Sequence, residues 1–106
     1  MTNNDNAIDI KRSTDGVLHI GIPTTLDSVN VPKLKGICIT ALTDEVSEVQ
    51  VKLTKTTFMD SAGIGLLVSI YRATKTRQLP MCLIGVSGQP LSLLRSLQID
   101  KAISLK

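Results

Sequence analysis

Between residues 49 and 86 the apolar pattern of this chain changes period twice. Residues 49–53 (Val-Gln-Val-Lys-Leu) alternate in the manner of a half-buried strand. From Ser61 to about Arg77 the apolar residues recur at helical spacing, until Leu79-Pro80 breaks the run. Met81-Cys82-Leu83-Ile84-Gly85-Val86 is then continuously apolar, as expected of a central strand. Strand, helix and strand in that order argue for a sheet covered by helices.

The flanking sequence extends this pattern. Residues 8–12 and 17–22 read as short strands joined by Ser13-Thr14-Asp15-Gly16, whose turn chemistry predicts a hairpin. Pro23 ends the second strand or confines it to an edge. Residues 26–30 form a loop into a first helix, with Asp27, Ser28 and Asn30 as candidate caps and Pro32 in the first turn. Val31, Leu34, Ile37, Cys38, Ala41 and Leu42 fall on one face of that helix, which runs to about Thr43. A short helix opens at Ser87-Gly88-Gln89-Pro90 and continues to about Leu97, and residues 102–105 supply a last strand. The predicted fold is α/β, one domain over 1–106 with a frayed polar segment at 1–6. Its mixed sheet of about five strands is covered by roughly three to four helices.

Only Phe58 and Tyr71 are aromatic among 106 residues, so the core must be aliphatic. The net charge is +3 and the twelve basic residues are scattered. No basic block is interleaved with aromatics, which argues against a nucleic-acid partner. Arg72, Lys75 and Arg77 fit the ordinary role of cations near a helix C-terminus. No apolar run reaches the roughly 18–20 residues that span a bilayer. Cys38 and Cys82 lie in apolar patterns without a short spacing, as buried free thiols of a reducing compartment would. The expectation is a soluble cytoplasmic protein with no membrane association.

Catalytic signatures are missing from the sequence. His19 is the single histidine and sits in a strand. Met59 occupies the first glycine position of a would-be nucleophile elbow, no phosphate-binding glycine loop is present, and no spacing suggests zinc or paired metals. A carboxylate alone is a weak base for activating a serine. No enzymatic activity, cofactor, metal or small-molecule substrate is expected.

The functional signal lies in residues 58–67, Phe-Met-Asp-Ser-Ala-Gly-Ile-Gly-Leu-Leu. Asp60 is placed as the cap of the second helix, accepting from the N–H of Ala62 or Gly63. Ser61 then stands at the positive end of that helix, where free N–H groups and the dipole tolerate an added phosphate. Gly63 and Gly65 leave the first turn uncluttered for an approaching partner. On a helical projection Ile64, Leu67, Val68, Tyr71 and Thr74 face the sheet, while Ala62, Leu66, Ser69 and Ala73 face outward. That outward face is small and mostly apolar, which fits a docking patch or cover from the short C-terminal helix.

At these residues the chain resembles the anti-sigma-factor antagonists, the small single-domain members of the STAS (sulfate transporter and anti-sigma antagonist) family. Their signature is an apolar pair, Asp-Ser, a small residue, Gly, an aliphatic residue and Gly. Phe58-Met59-Asp60-Ser61-Ala62-Gly63-Ile64-Gly65 matches it throughout. Leu26-Asp27 resembles the family's Leu-Asp, although Thr24-Thr25 and Val29-Asn30-Val31-Pro32 depart from its flanking residues. The resemblance implies that Ser61 accepts phosphate from a serine-kinase anti-sigma factor. The unphosphorylated form would bind that kinase and release its target, and a serine phosphatase would restore it. Asp27 would lie near Ser61 and contact the kinase, with Asp60 presenting the serine. The alternative is a STAS-like scaffold, not phosphorylated, that binds a transporter ATPase or a larger signalling complex.

Overall fold

The turn residues at 13–16 fold as a hairpin. Ser13 O accepts from Gly16 N–H at 3.0 Å, and Ser13 N–H donates to Val17 O at 2.9 Å. Gly16 makes this possible at a φ of +91°, a conformation that glycine adopts without steric cost. A computed structural model describes residues 7–106, so the frayed segment expected at 1–6 lies outside the described residues. The hairpin joins β1 (Asp9–Arg12) to β2 (Val17–Gly21). The chain continues through β3 (Thr25–Leu26), α1 (Val31–Thr40), β4 (Glu48–Lys52), β5 (Phe58–Met59) and α2 (Ser61–Thr76). It closes with β6 (Met81–Ile84), α3 (Gly88–Ser96), a 3-10 turn at Ile99–Lys101 and β7 (Ser104–Leu105).

The main sheet has five strands in the order β1-β2-β4-β6-β7. β1 and β2 pair antiparallel and every other neighbour pairs parallel, giving the mixed sheet expected. Pro23 therefore ends an inner strand, not an edge strand. Register aligns Leu18 with Val49, and Ile20 with Val51, which in turn neighbours Leu83. These residues are buried and form the centre of an aliphatic core. His19 and Gln50, on the other face, are half-buried. The crossovers from β2 to β4, β4 to β6 and β6 to β7 advance in one direction. Right-handed connections then place their helices on one side of the sheet, which is the side the aliphatic residues face.

α1 stops at Thr40, earlier than the Thr43 expected. Arg77, beyond the end of α2, donates from its guanidinium to Leu42 O and Thr43 O, both at 2.8 Å. It thus ties the segment after α1 to the end of α2. On α1, Val31, Leu34 and Cys38 are buried as expected. Ile37 is 36% exposed, a departure from the predicted core face. Cys38 and Cys82 are buried free thiols, and burial pushes the Cys38 thiol up to about 11.

Candidate functional site

The site is assembled by two strands too short to read from sequence. β3 pairs in parallel with β5, setting Thr25 beside Phe58 and Leu26 beside Met59. This two-stranded ribbon stands apart from the main sheet and brings the loop after Leu26 against the start of α2. The loop predicted from residue 26 thus begins with a strand residue, and the ribbon explains why Leu26-Asp27 and Asp60-Ser61 meet. Asp60 N–H donates to Leu26 O at 3.2 Å, and Ser28 N–H donates to Asp60 Oδ2 at 3.2 Å.

Asp60 caps α2 as predicted. Its Oδ1 accepts from Ala62 N–H at 2.9 Å and Gly63 N–H at 3.2 Å. Both carboxylate oxygens are therefore engaged, one with the helix and one with the 27–30 loop. The sequence expectation that free N–H groups would receive a phosphate needs correction. The Ala62 and Gly63 donors are already occupied by Asp60, and Ile64 N–H donates to Asp60 O at 3.1 Å. What remains at this end is the helix dipole and the Ser61 N–H.

Ser61 is the first residue of α2 and is exposed. Among the described residues its hydroxyl has no hydrogen-bond partner, so no base is placed to take its proton and it lies open to solvent. Asp27 is half-buried and organises its own loop. Its Oδ1 accepts from Val29 N–H at 3.0 Å and Asn30 N–H at 3.3 Å, while its N–H donates to Asn30 Oδ1 at 3.0 Å. Asn30 Nδ2 donates to Thr25 O at 2.6 Å. Asn30 thus immediately precedes α1 without capping it by its side chain; the side chain braces the loop.

The outward face drawn for α2 is not the one the fold presents. Leu66 is 1% exposed and belongs to the core, so it cannot meet a partner. α2 packs against α1 as well as the sheet, and its buried arc is wider than a single-sided projection allows. Gly63 is also enclosed. A Cβ there would stand 2.5 Å from Met59 Cγ and 2.7 Å from Leu26 O, so this glycine serves close packing of α2 on the ribbon. Gly65 is exposed with open space around it, and Ala62 and Ser69 are half-buried. Sequence reasoning missed two exposed apolar residues, one in the loop after β3 and one on β5. Val29 is 87% exposed and Phe58 is 46% exposed. A signal existed for Phe58, since strand alternation turns it away from buried Met59.

Gln89, at the start of α3, completes the support. Its Nε2 donates to Met59 O and its Oε1 accepts from Met59 N–H, each at 2.8 Å. One side-chain amide therefore satisfies the backbone of Met59 on the side that β3 does not cover. Nothing in the sequence marked Gln89 for this role. Among the described residues no cluster of His, Cys, Asp and Glu could hold a metal, and no helix is long and apolar enough to cross a membrane.

Comparison with known proteins adds the relationship. The family model described as STAS domain matches residues 10–106. The anti-sigma-B factor antagonist of Listeria monocytogenes is 25% identical over 100 residues, covering 94% of this chain and 88% of that protein. Among solved structures, an anti-sigma-factor antagonist (STAS) domain protein from Planctomyces limnophilus superposes with a TM-score of 0.82. It is 22% identical and covers 93% of this chain and 87% of that one. The Bacillus cell-fate determinant SpoIIAA in its phosphorylated form gives a TM-score of 0.75 at 19% identity, covering 94% and 91%.

Proposed function

The chain belongs to the STAS domain family, and on that footing we propose that it is an anti-sigma-factor antagonist switched by phosphorylation of Ser61. The observation that carries this reading is the exposed Ser61 at the start of α2, its hydroxyl unengaged beside a fully engaged Asp60. The Listeria relative bears the name of such an antagonist, and SpoIIAA is a fold neighbour known in a phosphorylated form. The whole chain, 1–106, acts in this reading as one STAS domain in the cytoplasm and catalyses nothing itself.

The partner is a serine-kinase anti-sigma factor. It docks over Ser61 on a rim made of Ala62, Gly65 and Ser69 from α2 together with Val29 and Phe58. Asp27 and Asp60 hold that rim in shape. Unphosphorylated, the surface is small and partly apolar, and binding the kinase frees the target that the kinase sequesters. Phosphate on Ser61 adds about −1.5 to −2 charges and three acceptor oxygens. A docked partner would have to desolvate them against Asp60. A penalty of about 3 kcal/mol weakens binding by roughly 10²-fold, enough for a switch. A serine phosphatase reverses it.

The test is incubation of the protein with the cell's serine-kinase anti-sigma factor and ATP, followed by intact-mass measurement. One phosphate per chain is expected, absent in Ser61→Ala, together with at least tenfold weaker kinase binding by the phosphorylated form. Unchanged phosphate uptake in Ser61→Ala would remove the proposal.

A further inference from the structure

β1 is an edge strand, and its unpaired side is defined by the hairpin register. Ser13 N–H donates to Val17 O, and the pairing runs Lys11 with His19 and Asp9 with Gly21. Antiparallel pairs alternate between bonded and non-bonded, so Lys11 and Asp9 direct their backbone groups at β2. Ile10 and Arg12 lie at the alternate positions, opposite Ile20 and Leu18. Their N–H and C=O groups therefore face outward and, among the described residues, are open to another strand.

The side chains along this edge sort by face. Ile10 and Arg12 lie on the helix side, in register with buried Ile20 and Leu18, while exposed Asp9 and Lys11 lie on the opposite side. Beside Ile10 a shallow apolar groove runs along α1, lined by Gly36, Ile37, Thr40 and Ala41. A second groove continues it past Ile8 and Val29. Gly36 lies within α1, where glycine is less favourable than alanine. A Cβ there would meet nothing within 4 Å among the described residues, so their packing does not require the glycine.

The geometry points to a second copy of this chain as the occupant, joined β1 to β1 across a two-fold axis normal to the sheet. Outward-facing groups can meet only in registers centred on a single residue, and charge selects among them. Centring on Asp9, Lys11 or Arg12 sets identical charges opposite each other. Centring on Ile10 sets Asp9 opposite Lys11 of the other copy, twice over, and bonds Ile10 to its symmetry mate. Both Ile10 side chains then sit on the helix side between the two grooves, against Ile37 of each α1. The edge charges, which ordinarily deter strand pairing, are complementary in this register alone. The axis keeps both helical layers on one side and makes a continuous sheet of the two main sheets.

The seam is short, so the dimer is weak and concentration-dependent. Sedimentation equilibrium of the full chain from micromolar to millimolar concentration should show the mass rising from 11.4 kDa toward twice that value. Asp9→Lys and Lys11→Asp should each weaken association at least about tenfold, with melting temperatures unchanged because both residues are exposed. An equimolar mixture of the two variants should dimerise again, since every facing pair is then opposite in charge. The double exchange Asp9→Lys with Lys11→Asp should restore self-association on its own. A wild-type chain that stays monomeric throughout overturns the inference. So does a single reversal that leaves dimerisation intact, or a mixture and double exchange that fail to recover it.

Discussion

Gly63 and Gly65, two residues apart, stand on nearly opposite sides of α2. An added methyl at 63 collides with Met59 Cγ and Leu26 O, whereas at 65 it meets open space. Gly63→Ala is therefore expected to destabilise the fold by about 1–3 kcal/mol through overpacking. Gly65→Ala should stabilise it by about 0.4–1 kcal/mol, because the unfolded chain loses freedom and the helix gains a better former. Thermal or urea unfolding of the two variants checks the sign of each. Kinase binding separates their roles further, since only Gly65 lies on the proposed docking rim. The pair shows what the sequence concealed. Both glycines look like clearance for a partner when only spacing is visible, and one of them instead clears its own neighbours. The Asp60 cap, by contrast, was legible to the residue, because capping is a local interaction fixed by two or three positions.

Among elements, those with a clear period could be read and those without could not. β2, β4, β6 and all three helices appear where alternation or helical spacing put them, within a few residues. β3 and β5 are two residues each, too short to carry a period, and their pairing joins positions more than thirty residues apart. The helical projection puts Leu66 on an outward face because it gives α2 a single neighbour. α2 buries Gly63, Ile64, Leu66, Leu67, Ile70 and Thr74, an arc wide enough to include that position. Ile37 erred in the opposite direction, since α1 overhangs the groove beside the short edge strand β1. The least legible contribution is Gln89, whose amide replaces a missing strand beside β5. Gln89→Ala should cost about 1–3 kcal/mol by leaving the Met59 donor and acceptor unpaired. Hydrogen exchange should locate the loss, with Met59 N–H exchanging faster while β2 and β4 keep their protection.

For the molecule as a whole, the switch proposal separates stability from binding. Ser61 lies outside the core, so the proposed modification should leave the buried contacts in place. A phosphate on Ser61 would stand next to Asp60, yet at the favourable end of the α2 dipole, a compensation of about 0.3–1 kcal/mol. The melting temperature of the phosphorylated protein should thus stay within about 5 °C of the unmodified one, while kinase affinity collapses. A larger fall in melting temperature would mean that the modification acts by loosening the fold. The fold class, a mixed sheet with helical cover, followed from the order of periods along the chain. The ribbon that sets Asp27 beside Asp60 did not, since it depends on the tertiary approach of two loops.

The single amide that closes the outer flank of β5 has a wider meaning for how such a surface can change. A strand neighbour would grip Met59 through a row of main-chain contacts that no point mutation removes. Here the grip resides in one replaceable side chain, so one codon governs how firmly the start of α2, with Ser61, is held. Tuning at position 89 can alter presentation of the serine while the five-stranded framework keeps its register.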